Sequence, residues 1–381
     1  MLFDSVLGHE HIIAHLKKGV ESGRIPHAQL FVGPEGTGML SLAIAYAQHI
    51  LCSSVLEPSK ASACALKFEQ LAHPDLHFAF PVATNTEVKT KPTSDAFMKS
   101  WREFVLNTPF GDLFDWLKHI DLEKKQGIIS VNEAADINKK LALKAYEGGY
   151  KVMIIWQADA LNTEAANKLL KLIEEPPKKT VFILITSQID GILQTIQSRC
   201  QRVDFLALSE DVIAKSLVEN EACDVALAKK LAHQCNANYN QALHLLHKDE
   251  ADFPFEAWFI EWVRAAFRAK GNAAVINDLI DWSEKIAALG RSVQKEFLHY
   301  CIQFFRQALL ANYQTEDLVF LETETPKFNL KNFAPYVNGA NINPIFEELE
   351  KAIYHIERNG NAKLILTDLS IQLTRLIHKK Q

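Results

Sequence analysis

QLFVGPEGTGMLSLAIAYAQHIL, residues 29–51, joins an apolar run of strand length to a glycine turn and then to a longer apolar segment. The pattern reads as strand, phosphate-type loop and helix. Four residues separate Gly33 from Gly38, the spacing of a loop whose backbone amides cradle a phosphate. A working loop of this kind continues with Lys, which reaches the terminal phosphates, and with Ser or Thr, which ligates Mg²⁺. Met39 and Leu40 stand in those two places. The frame of an ATPase is present without the groups that act on the nucleotide. Amides at Gly36 and Gly38 can still meet a phosphate at the helix N-terminus. The alternative is a glycine turn that only closes strand onto helix.

Working outward, a helix is expected over 9–22, with Ile12, Ile13, Leu16 and Val20 on one face, before the strand at 28–32. Further strands are expected at 76–80, 151–156, 180–185 and 202–206. Helices are expected at 40–52, 95–106, 110–118, 132–149, 163–175 and 190–197, and 81–94 reads as a polar surface loop. The 132–149 segment places Ala134, Ile137, Leu141 and Ala145 on one face, with Gly148-Gly149 as its stop. Asn162 or Thr163 caps the 163–175 helix, and Pro176-Pro177 closes it. Strands alternating with helices give an α/β fold with a parallel, doubly wound sheet. Beyond Ser209 the periodicity is helical only, at 209–219, 224–235, 239–248, 254–269, 272–288, 291–313, 344–358 and 360–378. Residues 322–343, with Pro326, Pro335 and Pro344, read as the one long irregular connection. Three domains are expected: 1–206, 207–250 and 251–381.

The 381 residues exceed one ordinary core, and fractions of 48% apolar and 23% charged are those of a soluble globular protein. No segment is long and apolar enough to span a bilayer, and Asp4 and Glu10 stand where a signal peptide is basic and apolar; the expectation is a cytoplasmic protein with no membrane partner. A net charge of −5 argues against a broad nucleic-acid surface. The pairs Lys17-Lys18, Lys139-Lys140 and Lys178-Lys179 lack interleaved aromatics and read as solvated faces. None of the six cysteines forms a CxxC pair, and reduced, structural cysteines are expected.

A second catalytic element is missing. ATPases of this architecture end the middle strand in an Asp-Glu pair that holds Mg²⁺ and polarises water. Here Trp156 and Gln157 end it. Asp159, the nearby carboxylate, reads as a turn residue rather than a metal ligand.

GRIPHAQLFVGPEGTG (23–38), HPDLHF (73–78), ALNTEAANKLLKLIEEPPKKTVFILITS (160–187) and QTIQSRCQRVDF (194–205) together resemble the bacterial clamp-loader subunits of DNA polymerase III, in order through about the first 206 residues. The resemblance implies a RecA-like AAA+ sheet domain, a small helical lid and an all-α collar that joins the subunit to its ring. The family holds ATPase gamma/tau members and a non-hydrolysing stator, and the altered loop and strand end align this chain with the stator. It implies that Arg199 of Ser198-Arg199-Cys200 projects into the ATP site of a neighbouring subunit, with Ser198 fixing the turn and Cys200 packed. A guanidinium suits that role, being permanently charged and forked. The implied partners are gamma/tau and delta subunits, the beta sliding clamp indirectly, and primer–template DNA within the ring. No cofactor of its own is expected; the ATP belongs to the neighbour. Thr186 stands where the family's ATPases keep a phosphate-sensing Thr, and without a phosphate it is expected to bond locally. On the 163–175 helix, Ala166, Leu169, Leu170 and Ile173 face the core and Lys168, Lys171 and Glu174 face outward, as a subunit interface or a solvated face. Cys52 and Cys64 are what remains of the family's four-cysteine zinc module; His73 has no ligand role in it, and no metal is expected. The rival readings are an active ATPase subunit, a single-stranded-DNA-binding accessory and a nucleotide-free regulator outside replication.

Overall fold

The computed structural model describes residues 3, 6–53, 58–147, 149–247, 253–272, 274–313, 319, 321, 323, 325, 328–358 and 360–379. Asp4, Gly148, Pro326 and the domain boundary expected at 250–251 lie outside them.

In chain order the elements are α1 (Glu10–Glu21), β1 (Ala28–Val32), α2 (Met39–Ser53), α3 (Pro58–Glu69), β2 (Leu76–Ala79), α4 (Met98–Asn107), α5 (Leu113–His119), α6 (Val131–Ala142), β3 (Lys151–Trp156), α7 (Thr163–Glu174), β4 (Thr180–Thr186), α8 (Gln194–Gln197) and β5 (Gln201–Asp204). The strands form an all-parallel sheet in the order β2-β3-β4-β1-β5. Period-two alternation sends Phe31, Val152, Ile154, Val181 and Ile183 to one face, against α1 to α5. Leu30, Val32, Met153, Ile155, Phe182 and Leu184 go to the other, against α6 and α7. Every residue of β1, β3 and β4 is buried, as a sheet covered on both faces requires. β1 lies inside the sheet between β4 and β5, so the loop after it opens at the carboxyl edge.

Two expectations in this part are corrected. α6 stops at Ala142 instead of running to Gly149. The Lys151 ammonium takes the Leu141 and Leu143 carbonyls, the latter at 2.6 Å, and the Asp75 carboxylate accepts the amides of Tyr146 at 2.7 Å and Glu147 at 3.0 Å. Side chains outside the helix, Asp75 from far along the chain, therefore satisfy backbone groups that another helical turn would have used. Helix α3 carries too little apolar periodicity to be read in advance. It lies against α2 and sets Cys64 beside Cys52, with Cα atoms 5.7 Å apart in a disulfide, where free thiols were expected.

The remaining helices are α9 (Glu210–Glu221), α10 (Val225–Gln234), α11 (Tyr239–His247), α12 (Phe255–Ala269), α13 (Val275–Ala287), α14 (Arg291–Asn312), α15 (Leu330–Phe333), α16 (Ile342–Glu357) and α17 (Ala362–Leu376). The chain divides into two compact units. The first takes residues 1–122 and 127–247, so α9 to α11 group with the sheet; the second takes 123–126 and 248–381. In the second unit Trp262 stacks on Trp282 at 5.1 Å, and their indole N–H groups donate to Ser370 Oγ and the Trp258 carbonyl. Ile345, Leu349, Ile353, Leu369 and Leu373 are buried within this bundle. Leu364, expected beside them, is 67% exposed, and Leu366 takes the buried position on α17.

Candidate functional site

The glycine loop is built as its sequence implies. Gly36 and Gly38 adopt left-handed φ angles of 71° and 80°, and Thr37 Oγ1 donates back to the Pro34 carbonyl at 2.8 Å, closing the turn. His9, buried before α1, holds the Thr37 carbonyl through Nε2 at 3.2 Å, and burial lowers its pKa. A β-carbon at Gly36 would collide with the Asn238 carboxamide, and Tyr239 donates its amide to the Gly36 carbonyl. Helix α11 therefore closes directly over the loop.

Phe110 narrows the space in front of the loop. Phe110 lies so close to Gly38 that a β-carbon there would sit 2.9 Å from its ring, and the ring packs edge-on against Tyr239 at 4.8 Å. Ser41 Oγ donates to the Pro109 carbonyl at 2.9 Å, tying the segment that carries Phe110 to α2. Met39 and Leu40, the first two residues of α2, are buried in the core. The cavity left among Gly36, Gly38, Phe110, Trp156 and Thr186 has a volume of about 40 Å³. Ligand pockets run to about 300–1,000 Å³.

The strand end is equally altered. Trp156 is buried among aromatic rings, 5.1 Å from Trp101 and 6.2 Å from Phe104. Gln157 turns left-handed at φ 53° and is buried. The carboxylate of Asp159 accepts a 2.6 Å hydrogen bond from Thr186 Oγ1, which in turn accepts from the Gln188 amide. Thr186 and Asp159 thus bond each other at the point where a phosphate-sensing hydroxyl would face its ligand.

Ser198, Arg199 and Cys200 form the turn between α8 and β5. Ser198 Oγ donates to the Thr195 carbonyl at 3.2 Å. Cys200 is half-buried against the second sheet face, and burial pushes its thiol up to about 12, which leaves no thiolate to act as a nucleophile at neutral pH. Arg199 stays at the surface, with Nε donating to Glu174 at 3.0 Å and Nη1 to the Thr195 carbonyl at 2.9 Å. Gln201, two residues on, is level with Gln29, which precedes Gly33 by four residues or about 13 Å along β1. The guanidinium therefore sits at the amino edge of the sheet, whereas the glycine loop sits at its carboxyl edge.

A zinc module is the one metal site the sequence resemblance raises. Cys64 Sγ, a ring nitrogen of His73 and a carboxylate oxygen of Glu147 lie within 4.8 Å of one another. Cys64 is bonded to Cys52, though, while His73 uses Nε2 on Glu147 and Nδ1 on the Asp75 amide, and Lys67 ion-pairs with Glu147. A disulfide sulfur is not a thiolate, so this donor set does not fit a closed four-ligand zinc site. Of the basic pairs, Lys140 is engaged by Asp95 and Asp136, and Lys17 lies over the Phe3 ring. No helix among the described residues is long and apolar enough to cross a membrane.

The family model described as DNA polymerase III, delta subunit, matches residues 8–209. DNA polymerase III subunit delta' of Bacillus subtilis is 30% identical over 236 residues, 62% of this chain and 58% of that protein. DNA polymerase III subunit tau of the same organism is 31% identical over 211 residues, 55% of this chain and 30% of that protein. The chain thus spans less than two thirds of the length of either relative. Among solved structures, a DNA polymerase III gamma-subunit-related protein of Thermotoga maritima aligns over 96% of this chain and 99% of its own at 13% identity, with a TM-score of 0.35.

Proposed function

Since the chain belongs to the DNA polymerase III delta-subunit family, we propose that it serves a clamp loader as a delta-prime-type stator, turning over no nucleotide itself and lending Arg199 to the ATP site of a neighbouring gamma/tau-type subunit. The observation that carries this reading is the placement of two features on opposite edges of one sheet. Phe110 packs against Gly38 of the glycine loop, Met39 and Leu40 replace the loop's Lys and Ser/Thr, and Trp156 and Gln157 replace the strand-end acidic pair. The Arg199 guanidinium lies at the amino edge, out of reach of its own loop. A charged fork at that edge is available to a phosphate brought by a neighbouring molecule and not to its own loop.

The chemistry follows from the residue. In phosphoryl transfer, charge spreads over the γ-phosphoryl oxygens, and a guanidinium that meets them stabilises that charge without a proton transfer. The neighbour supplies the loop lysine, the Mg²⁺ and the water-polarising carboxylate. This chain supplies one cation and a fixed platform, so ATP bound next door is sensed across the subunit boundary. The partners in this reading are gamma/tau and delta subunits, with the sliding clamp and primer–template DNA met through the assembled loader.

The test is Arg199→Ala in a loader reconstituted with gamma/tau and delta subunits. The variant is expected to fold and assemble, while ATP turnover at the affected site falls by about 10²–10³-fold. Unchanged turnover and unchanged clamp loading would remove the role in trans.

A further inference from the structure

Arg199 does not hang free. Its Nε donates to Glu174 Oε2 at 3.0 Å and its Nη1 to the Thr195 carbonyl at 2.9 Å, with Ser198 Oγ 3.5 Å away. Two anchors on adjacent nitrogens fix the plane of the guanidinium, since its five N–H groups lie in one rigid fork. The Nη2 edge has no partner among the described residues and is the edge left to meet an anion. Glu174 holds this place against its own helix. It is the last residue of α7, where the negative end of the helix dipole disfavours a carboxylate, and it caps nothing. Its side chain is 54% exposed, so the ion pair contributes little to stability.

We infer that Glu174 is a positioning residue for the arginine supplied in trans: its carboxylate sets the orientation in which Arg199 is presented, so that the neighbour's phosphate meets a guanidinium already aligned. The inference rests on the reading of Arg199 given above. Alignment in advance acts on the chemical step, because the entropy of fixing the side chain is met before ATP arrives. Glu174 also sets a distance limit, since a finger that moved far toward the neighbour would have to break this pair.

The experiment uses the reconstituted loader and five variants of this subunit: Glu174→Ala, Glu174→Gln, Glu175→Ala, Arg199→Ala and the double variant Glu174→Ala with Arg199→Ala. Glu175 is the adjacent exposed carboxylate, and its removal makes the same change in net charge. Glu174→Ala is expected to lower kcat for ATP about fivefold with KM unchanged, because the contact acts on presentation and not on nucleotide binding. Glu174→Gln keeps an oxygen that accepts from Nε and is expected to restore kcat to within about twofold of the parent. Glu175→Ala is expected to match the parent. Glu174→Ala combined with Arg199→Ala is expected to equal Arg199→Ala alone, as two residues acting as one unit require. If Arg199→Ala lowers kcat while Glu174→Ala does not, the positioning role is overturned and the reading of Arg199 stands. Equal losses for Glu174→Ala and Glu175→Ala would reassign the effect to surface charge and also overturn it. If Arg199→Ala leaves kcat unchanged, the reading itself fails and the role of Glu174 fails with it.

Discussion

Phe110 packs at the glycine loop, with Gly38 on one side and Tyr239 on the other. Because of it, restoring the loop chemistry alone is expected to achieve nothing. Met39→Lys with Leu40→Thr would bury an ammonium and a hydroxyl where two core side chains now pack, costing about 2–4 kcal/mol in a urea titration. Phosphate release should stay at background, since Trp156 and Gln157 still provide no carboxylate. Glu133 is expected to contribute to the pH dependence of stability. It is buried, accepts the Ser94 amide at 2.6 Å, and has Oε1 without a partner among the described residues; burial raises its pKa to about 7. A carboxyl that holds its proton more tightly when folded contributes stability that is complete below its ordinary value of 4.5 and is lost as pH rises through about 7. At pH 8 the ionised form costs about 3 kcal/mol. Glu133→Gln keeps an acceptor for Ser94 and is expected to raise the urea midpoint at pH 8 while leaving it nearly unchanged at pH 4. An equal shift at both values would rule out this assignment.

Among the elements, α6 shows where local pattern stops being informative. Its apolar positions continue at helical spacing through Ala145, yet the helix ends at Ala142 because Lys151 and Asp75 take over backbone groups beyond it. Asp75 lies more than seventy residues from those amides, so no window of sequence around the segment holds that part of the signal. Asp75→Ala is expected to release the amides of Tyr146 and Glu147 and to cost about 2–3 kcal/mol. Hydrogen exchange should quicken at those two amides before it does at β3; unchanged exchange there would contradict this account of the α6 terminus. By contrast β1, β3, β4 and α7 were legible, because continuous apolar runs, an Asn162 cap and the Pro176-Pro177 stop each act locally. The altered loop and strand end were legible for the same reason, being single positions in short motifs. The packing of Phe110 was not: it lies seventy-two residues beyond Gly38 in the chain, and only the folded sheet brings it there. Helix α3 and the Cys52–Cys64 bond escaped notice because an alanine- and serine-rich segment shows little periodicity.

For the whole molecule, the central claim is a separation of roles between two edges of one parallel sheet. The carboxyl edge carries a glycine loop with Phe110 packed against Gly38, and the amino edge carries Arg199 paired with Glu174. The helical unit of residues 253–379 spends most of its apolar side chains on its own core, from Trp262 and Trp282 to Leu349 and Leu373. The most direct measurement is steady-state release of inorganic phosphate from Mg·ATP by the purified chain alone, across a range of ATP concentrations. The account predicts a rate that equals the enzyme-free background at every concentration. Saturable release that scales with the amount of this protein would contradict it.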